Sequence, residues 1–388
     1  MATSQITDFN GDGREDLAIA APNEDVNGRA DAGLVNVIHG SAAGLSATAV
    51  PDQRFFQDSA GIADFSEDND RYGTSLASGD LNKDGYSDLA IGAIGEDIGS
   101  VTDAGALSAI YGSPSGLSAA SVLADQLWTG SSPGISDDIP AACPVTGLGA
   151  ARALTSGDFN GDGYEDLAAG AVTTRVTFGD CGGSLYGDNG LLLVIYGSES
   201  GLAITVARDD EFGTQSSIAD FARTLANGDF DNDGYADLAV SFAVTSIVAP
   251  GDLTGGGWGQ VYVYHGSATG FAEGSDGRLS PPFPSWNQGS PNVEGELEDQ
   301  DNFGYSIATG DFNGDGYVDM AVGAPGEDLS AETQEGYDLN ENQGAVNGIY
   351  GSATGLSATT VPDQFWTQDT PSVEDSAELG DRFGGALG

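Results

Sequence analysis

Short apolar runs alternate along the whole chain with polar loops that are rich in Gly, Asp and Ser. Runs such as 16–22 and 106–113 combine small and β-branched residues, and turn-forming residues lie on both sides of them. This pattern is typical of half-buried or buried β-strands. No convincing stretch repeats its apolar residues at the spacing of an amphipathic helix, so the sequence predicts an all-β protein.

The predicted strands fall into a repeating set of four. A first strand, clearest at 72–79, leads into an acidic loop, and a second strand follows that loop directly. A third strand ends in Gly-Ser, and a short aromatic fourth strand follows it. In two units this fourth strand is marked less clearly, around Trp286 and near Ala207. The second strands are predicted at 16–22, 88–93, 166–172, 237–244 and 319–325, the third at 33–41, 106–113, 191–198, 260–267 and 345–352, and the clear fourth strands at 52–57, 126–128 and 364–366.

The acidic loop is a nonapeptide that occurs at 8–16, 80–88, 158–166, 229–237 and 311–319. Positions 1, 3, 5 and 9 carry side-chain oxygen atoms, position 6 is glycine, and position 7 varies, as expected of a residue that contributes only its backbone carbonyl. Hard oxygen ligands at this spacing around a glycine turn suit Ca²⁺. The predicted ligands are Asp8, Asn10, Asp12, Arg14 and Asp16; Asp80, Asn82, Asp84, Tyr86 and Asp88; Asp158, Asn160, Asp162, Tyr164 and Asp166; Asp229, Asp231, Asp233, Tyr235 and Asp237; and Asp311, Asn313, Asp315, Tyr317 and Asp319.

Other interpretations of the nonapeptide fit less well. Zinc requires Cys or His ligands, which the loop lacks. An EF-hand requires glutamate at position 12, where this chain has Ile19, Ile91, Ala169, Val240 and Val322. A metal-free Asx and glycine turn is the alternative for any single copy. Because clustered carboxylates repel one another, five such loops favour a bound cation in each, and the sequence predicts about five Ca²⁺ ions, one per repeat.

The spacing of the loops indicates the fold. They recur roughly every 71–82 residues, which fits one four-stranded unit each. Such units with glycine-rich turns are typical of a β-propeller, whereas a linear β-solenoid has a much shorter period. The terminal segment 382–388 matches the start of the inner strand at 302–307. We expect a single domain over residues 1–388 with five four-stranded blades, in which the C-terminal strand completes the N-terminal blade; a piece of a longer ring is the alternative.

The chain is very acidic, with 60 Asp and Glu residues against 11 Lys and Arg and a formal net charge of −49. Such a surface disfavours nucleic acid and anionic membranes, and favours cations and basic partners. The chain contains no run of about 18 apolar residues that could insert into a membrane.

Cys143 and Cys181 fall in connections on one face of the same unit. The sequence therefore predicts a disulfide between them, and a secreted or cell-surface location.

The motifs resemble those of a known family. Residues 303–325 begin with Phe-Gly, continue through Ser-Ile-Ala to the acidic loop, and end in Gly-Ala-Pro. This is similar to the FG-GAP repeat of integrin α-subunit propellers and their bacterial relatives, and the similarity covers essentially the whole chain. The resemblance implies calcium in the loop between the first two strands of each blade. This chain differs from integrin propellers in two respects. Integrin propellers have seven blades, and in this chain the Phe-Gly pair is replaced near Arg152 and at 221–222.

The connections between strands divide into two classes. In an antiparallel blade, the 1–2 and 3–4 turns share one face of the disc, and the 2–3 and 4–1 connections share the other. The first class is nearly identical between units, whereas the connections within 131–150, 246–257, 268–301 and 326–343 are long and unlike one another. Variable loops on a rigid scaffold commonly carry recognition, and tolerated insertion is the alternative. We expect an adhesion or protein-recognition module, a monomeric ring whose partner is an extracellular protein or glycan.

No catalytic constellation can be assembled. His39 and His265 occupy the strand position that is tyrosine at 111, 196 and 350, so they read as packing residues. No Ser/His/Asp or Cys/His arrangement follows from them. No carboxylate pair stands out among so many acids. The sequence predicts a protein that is not an enzyme; the alternatives are a carbohydrate-binding propeller, or the non-catalytic propeller part of a larger extracellular hydrolase or lyase.

Overall fold

The computed structural model describes residues 7–120, 123–132, 135, 151–173, 189–203, 206–209, 218–219, 221–245, 257–273, 279, 285–298, 300–329 and 342–387. Within these ranges the regular secondary structure is a series of strands, β1 to β19, and no helix occurs in them. The predicted all-β fold is confirmed. The described part of the chain accordingly holds no helix that is long and apolar enough to cross a membrane.

The strands form five antiparallel sheets, which we call blades 1 to 5. Blade 1 contains β1 (Leu17–Ala21), β2 (Leu34–Ile38) and β3 (Gln53–Phe55). Blade 2 contains β4 (Tyr72–Gly79), β5 (Asp88–Ala93), β6 (Ala106–Ile110) and β7 (Gln126–Trp128). Blade 3 contains β8 (Ala153–Gly157), β9 (Asp166–Thr173), β10 (Asn189–Ile195) and β11 (Val206–Asp209).

Blade 4 contains β12 (Ile218–Ala219), β13 (Leu225–Gly228), β14 (Asp237–Thr245) and β15 (Gly257–Tyr264). Blade 5 contains β16 (Ser306–Gly310), β17 (Asp319–Ala324), β18 (Ala345–Ile349) and β19 (Gln364–Trp366). Strands pair in chain order except in blade 4, where β14 pairs with β12, β13 and β15. The predicted four-strand order is found in blades 2, 3 and 5, whereas in blade 4 β12 and β13 share one edge of β14, and the predicted strand around Trp286 is only a bridge to Val261. The fold is that of a β-propeller built from blades of three or four strands.

The second strand of each blade is central, and its sequence reflects that position. Every residue of β5 is buried, since β4 and β6 pair with its two edges and other blades cover its faces. A strand that is buried on both faces has no need of alternating polarity. The small residues of its Asp-Leu-Ala-Ile-Gly-Ala sequence let the neighbouring blade approach closely: a Cβ on Gly92 would lie 2.9 Å from the Cβ of Ala151, at the start of blade 3.

The hydrophobic core lies between neighbouring blades. Val35 and Val37 of blade 1, for example, share a buried cluster with Leu89 and Ile91 of blade 2. Three similar clusters join blades 2 and 3, blades 3 and 4, and blades 4 and 5. Each blade is thus stabilised by the apolar area that it shares with its neighbours, as in other repeat architectures.

The Phe-Gly pair stabilises these junctions. Tyr72, at the phenylalanine position of blade 2, is almost wholly buried, and Gly73 has a φ of +95°. A Cβ on Gly73 would lie 3.0 Å from the Cβ of Ala20 in blade 1, so glycine allows both the backbone conformation and the close approach. Ala151 and Ala222 take the corresponding place in blades 3 and 4 with φ values of +38° and +55°.

The C-terminal segment, predicted to begin another inner strand, forms an isolated bridge and no strand in the described residues. Phe383 lies beside Gly344 of blade 5 in a parallel bridge, and Ser306 Oγ donates a hydrogen bond to the Gly384 carbonyl at 2.6 Å. Its backbone hydrogen bonds repeat those of the junction between blades 1 and 2. There, Arg71 N donates to Asp31 O and Tyr72 N donates to Ala32 O. At the end of blade 5, Arg382 N donates to Asn342 O and Phe383 N donates to Gln343 O.

The predicted completion of the N-terminal blade is not found. Blade 1 has three strands, and no strand in the described residues pairs with the free edge of β1. Leu17 and Ile19 of β1 are 42% and 41% exposed. At the other end, Phe312 is 55% exposed, whereas Phe9, Leu81, Phe159 and Phe230 at the same loop position lie under the following blade and are buried. The described blades therefore form an arc with two uncovered end faces.

Candidate metal centres

The five acidic loops lie between the first and second strands, and Asp at position 1 organises each of them. In the first loop, Asp8 Oδ1 accepts a hydrogen bond from Gly11 N at 2.7 Å, and Asp8 Oδ2 accepts one from Gly13 N at 2.7 Å. The bond to the position 6 amide recurs at Asp80, Asp158, Asp229 and Asp311. Backbone donors thus gather around one carboxylate and curl the chain into a tight turn.

Two positions in each loop require a left-handed backbone. Position 6 has φ values from +82° to +96°, at Gly13, Gly85, Gly163, Gly234 and Gly316, which explains why it is always glycine. Position 4 also has positive φ, but there Lys83 and Asn232 adopt values of +57° and +56°. The turn therefore requires glycine at position 6 and only favours it at position 4.

Asp at position 9 joins the loop to the rest of its blade. Asp88 is fully buried; its Oδ2 accepts from Leu81 N at 2.9 Å, and its Oδ1 accepts from Gly112 N, beyond the end of β6, at 2.8 Å. The same pair of bonds occurs at Asp16, Asp166, Asp237 and Asp319. Sequence reasoning treated position 9 only as a metal ligand and missed this structural role, because the glycine follows a different strand, far along the chain.

Positions 5 and 7 also do more than the sequence indicated. Asp12 Oδ1 accepts a hydrogen bond from Arg14 N at 3.0 Å, and the same bond recurs in the other four loops. The position 7 side chain reaches the preceding loop: a Cβ on Gly11 would lie 2.6 Å from Tyr86 Cε1, and Lys83 Nζ lies 5.3 Å from the centre of the Tyr164 ring. These contacts connect successive loops along one face.

The fourth loop brings three carboxylates together. Oxygen atoms of Asp229, Asp231 and Asp237, at positions 1, 3 and 9, all lie within 4.8 Å of one another. In the other four loops position 3 is asparagine, so an amide oxygen takes the place of one carboxylate. Grouped carboxylate and amide oxygens are the donors that Ca²⁺ prefers, so the residues present fit this ion. The predicted donor at position 5, Asp233, does not belong to this group of three.

The electrostatics of the loops favour a bound cation. Burial, together with the nearby Asp84 and Asp80 carboxylates, raises the pKa of the Asp88 carboxyl to about 8. Burial and the Asp158 and Asp162 carboxylates likewise raise the pKa of Asp166 to about 7. These carboxyl groups carry their charge at neutral pH only at a cost in free energy, and a divalent cation removes that cost.

The two histidines adjoin the loops. His39 is fully buried, and its Nδ1 lies 3.0 Å from Asp16 Oδ2. His265 Nδ1 lies 3.3 Å from Asp237 Oδ1. Both rings also pack on the next glycine turn: a Cβ on Gly116 or on Gly355 would lie 2.9 Å from the respective histidine Cε1. His39 is therefore a buried packing residue, as predicted, whereas the His265 side chain is 44% exposed. Each histidine additionally contacts a position 9 carboxylate, which the sequence did not indicate.

Other predicted features fall where the structure gives no description. Cys143 and Cys181 lie outside the described residues, so their disulfide stays a prediction. The same holds for most of the connection 131–150 and for residues 246–256 and 330–341. Trp286, by contrast, is placed: it bridges Val261 of β15 and packs against the cluster between blades 4 and 5.

Comparison with known families supports the repeat pattern. The FG-GAP repeat model matches four stretches of the chain, residues 2–38, 72–110, 150–176 and 303–346. The chain carries FG-GAP repeats in these four stretches. Each matched stretch contains all or part of an acidic loop and the strand that follows it. The fourth unit lies outside these stretches, although its loop makes the same hydrogen bonds as the other four.

The similar proteins of known name are larger. Phosphatidylinositol-glycan-specific phospholipase D of Rattus norvegicus is 33% identical over 160 residues, which is 41% of this chain and 17% of that protein. Integrin alpha-4 of Xenopus laevis is 34% identical over 176 residues, 44% of this chain and 14% of the integrin. Integrin alpha-6 of Gallus gallus is 31% identical over 175 residues, 45% and 13% of the two chains. The FG-GAP propeller is thus integrin-like, and it corresponds to a small part of each relative.

One solved structure, a rhamnogalacturonan lyase (YesX), covers 90% of this chain and 56% of its own at 10% identity, with a TM-score of 0.36. A similarity of this size carries no argument about function. The similarity to integrins and to the phospholipase therefore rests on the repeats themselves. It does not assign the activities of those whole proteins to this chain.

Proposed function

We propose that this FG-GAP repeat protein is a calcium-stabilised recognition module, secreted or exposed at a cell surface, which binds an extracellular protein through its 2–3 and 4–1 connections. The observation that carries the proposal is the grouping of Asp229, Asp231 and Asp237 oxygens within 4.8 Å, in a loop type that occurs five times. Positions 1, 3, 5, 7 and 9 of each loop are proposed to surround one Ca²⁺, and positions 1, 3 and 9 supply the side-chain oxygens grouped above. Extracellular calcium concentrations suit such sites.

The bound ions would stabilise the fold. Each loop connects the first strand of a blade to the second, and its position 9 carboxylate is also hydrogen-bonded just beyond the end of the third strand. An ion in each loop would therefore stabilise the contacts among these three strands. A ligand that binds only the folded state contributes about 2.7 kcal/mol per site at a hundredfold excess over its Kd. Calcium would thereby make the scaffold rigid, and the connections on the opposite face are proposed to recognise the partner.

The first experiment measures calcium. Protein stripped with chelator and reloaded is analysed for bound Ca²⁺ per chain, together with a variant carrying Asp229→Asn and Asp231→Asn. The variant should hold one ion fewer than the wild type, and an Asp52→Asn control at an exposed position should hold the same number. Chelator should lower the melting temperature of the wild type. Unchanged melting and no difference between the variant and the control would contradict the calcium proposal.

The second experiment tests recognition. Calcium-loaded protein is screened against arrays of extracellular proteins and of glycans, and any hit is retested after residues 131–150 are replaced by a short turn. The control replaces the 3–4 turn at 41–45, which lies on the loop face. Loss of binding in the first variant alone supports the proposed face; loss only in the control contradicts it. Glycan hits that depend on several blades would favour a carbohydrate-binding propeller.

A second candidate is the non-catalytic propeller part of a larger extracellular hydrolase. The similarity to a phospholipase D, of which this chain matches 17%, favours it, because FG-GAP repeats there accompany a protein named for hydrolysis. Under this alternative the isolated chain would bind calcium as above but show no partner in the protein array.

A further inference from the structure

A second acidic motif occurs on the face opposite the loops. Residues 57–70 and 288–301, which connect one blade to the next, align without a gap and share Gln at the first position, Glu at the eleventh and Asp at the last. Residues 368–381 repeat the same three positions. These 4–1 connections were expected to be unlike one another. The structure shows that two of them place the shared Gln and Asp side chains in the same buried environment.

At the junction of blades 1 and 2, Gln57 of blade 1 meets Glu96 of blade 2. Gln57 Nε2 donates a hydrogen bond to Glu96 Oε2, and both side chains are buried, at 2% and 1% exposed. The half-buried Asp64 carboxyl is hydrogen-bonded to Glu96, and the fully buried Asp70 carboxylate is close enough to repel it. A buried amide and a buried glutamate are thus hydrogen-bonded between two blades, and two further carboxyl groups lie in their neighbourhood.

The junction of blades 4 and 5 repeats the arrangement. Gln288 Nε2 donates a hydrogen bond to Glu327 Oε2, and these side chains are 3% and 5% exposed. Asp301, 1% exposed, takes the place of Asp70, and Glu327 lies close enough to raise its pKa. Glu298 and Asp328 carboxylates lie near both.

These clusters contain buried oxygen atoms with no donor. Gln57 Oε1, Asp70 Oδ1 and Gln288 Oε1 accept no hydrogen bond, although each side chain is more than nine-tenths buried. In the described residues, no Lys or Arg forms an ion pair with Glu96, Asp70, Glu327 or Asp301. An unpaired buried acceptor or carboxylate is costly, and a native structure usually supplies a partner.

The charge balance points the same way. Burial, followed by the Asp64 and Asp70 carboxylates, raises the pKa of Glu96 to about 9. Burial and Glu327 raise the pKa of Asp301 to about 8. Either protons or a metal ion must therefore neutralise these groups at neutral pH. Protons would leave the amide oxygens of Gln57 and Gln288 without a partner unless the carboxyls donate to them, whereas a cation would engage amide and carboxylate oxygens together.

We propose that each of these two junctions holds a divalent cation, with Gln57, Glu96 and Asp70 around one ion and Gln288, Glu327 and Asp301 around the other. The donors are all oxygen, which selects Ca²⁺ or a similar hard ion. The sites are separate from the five loops and lie on the opposite face. Each ion joins residues of two successive blades, so it holds the blades together, whereas a loop ion holds strands within one blade.

The two ends of the arc supply natural half-sites. Glu24 of blade 1 follows β1 as Glu96 follows β5, but it is exposed, and among the described residues no glutamine is hydrogen-bonded to it. Gln368 and Asp381 follow blade 5, and in the described part of the chain no glutamate bonds to Gln368, whose Oε1 is again an unpartnered buried oxygen. Glu24 therefore offers a control that matches Glu96 in loop position and charge but lacks the partners.

The test counts ions in the full chain. Wild type, a Glu96→Gln/Glu327→Gln double variant and a Glu24→Gln control are stripped, reloaded with Ca²⁺, passed through gel filtration and analysed for bound calcium. We expect the double variant to hold two ions fewer than the wild type, and the control to hold the same number. Equal calcium in all three proteins would overturn the proposal and assign protons to the junction carboxyls. The difference of two is independent of how many loops are filled.

Two further measurements cover the case in which the double variant misfolds. Each single variant, Glu96→Gln or Glu327→Gln, should lose one ion while keeping the circular dichroism spectrum of the wild type. Crystals of the wild type soaked in Mn²⁺ should show an anomalous peak beside Glu96 and another beside Glu327. Absence of both peaks in crystals whose acidic loops do show them would overturn the proposal without any mutation.

Discussion

Asp88 Oδ1 accepts a hydrogen bond from the backbone N–H of Gly112 at 2.8 Å, across the sheet from the loop to which the aspartate belongs. The other carboxylate oxygen accepts from Leu81 N within the loop. One buried side chain therefore fixes the shape of the loop and its position against the third strand. Because all five units contain this pair of bonds, each candidate calcium site is attached to its blade in the same way.

Replacing this aspartate should destabilise the protein strongly. Asp88→Ala leaves two buried backbone donors without an acceptor, which costs about 2–4 kcal/mol of unfolding free energy. Asp88→Asn keeps one acceptor oxygen and should cost less. Urea unfolding in saturating Ca²⁺ measures the difference, and Asp52→Ala, at an exposed position, should lie within about 0.5 kcal/mol of the wild type. An Asp88→Ala value as small as that of the control would show that the bond to Gly112 contributes nothing.

The contact between successive loops gives a paired prediction. Gly11→Ala adds a Cβ that lies 2.6 Å from Tyr86 Cε1, whereas Gly314→Ala, at the same position of the fifth loop, meets no atom within 4 Å. Both glycines have positive φ, +69° and +76°, so backbone strain is similar in the two variants. Gly11→Ala should therefore be about 1–3 kcal/mol more destabilising than Gly314→Ala because of overpacking.

Thermal or urea unfolding of the two variants checks this difference. Adding Tyr86→Ala to Gly11→Ala should remove most of it, since the clash is with the ring. If the two single variants unfolded alike, the tyrosine at position 7 would not pack on the preceding loop in solution.

The uncovered end of the arc allows a second comparison between two matched variants. Phe230 and Phe312 occupy the same loop position, but Phe230 is fully buried under blade 5 and Phe312 is 55% exposed. Phe230→Ala should cost about 3–5 kcal/mol, as expected for a large buried side chain, and Phe312→Ala less than about 1 kcal/mol. Unfolding free energies by denaturant titration decide between them. A comparable loss in both would show that blade 5 is covered in solution, as the predicted ring closure requires.

Stability should depend on pH in opposite ways with and without calcium. The folded-state pKa values of Asp88 and Asp166, about 8 and about 7, lie above the usual value for aspartate, so the metal-free folded protein binds more protons than the unfolded chain between about pH 4 and 8. Its stability should therefore be highest near pH 4 to 5 and fall as the pH rises through 7 to 8. With Ca²⁺ bound, protons compete with the ion, so stability should instead rise with pH over this range.

Melting curves of dialysed and calcium-loaded protein between pH 5 and 8.5 measure how the stability of each preparation changes with pH. A stability of the dialysed protein that rises with pH would contradict the raised pKa values. Parallel curves for the two preparations would mean that calcium does not bind to the titrating carboxylates.

Local features were predictable from the sequence. The strands at 126–128 and 364–366 have the predicted bounds, since short aromatic runs between turns have few alternative structures. The glycine at position 6 was recognisable as a turn requirement, and its φ values explain it. The double role of Asp88 was not predictable, because its partner Gly112 lies 24 residues away and has no side chain to mark it.

The connections between blades were misjudged for a related reason. Gln57 was placed at the end of the predicted strand 52–57 and Gln288 in the variable connection 268–301, because their glutamate partners lie 39 residues further along the chain in another blade. Similarity of the whole connection is low, and only spacing within 57–70 and 288–301 preserves the motif. Contacts between blades select a few side chains and leave the residues between them free to vary.

The sequence by itself determined the strands, the acidic loops and the repetition of a four-stranded unit, because polarity patterns and turn chemistry act over a few neighbouring residues. Only the tertiary structure decided which loop atoms meet, which faces are covered and where the chain ends lie. The contact of Asp8 N with Ser87 Oγ, 79 residues apart, shows why. Each blade is completed by the next one, so the environment of a residue depends on packing that no local pattern specifies.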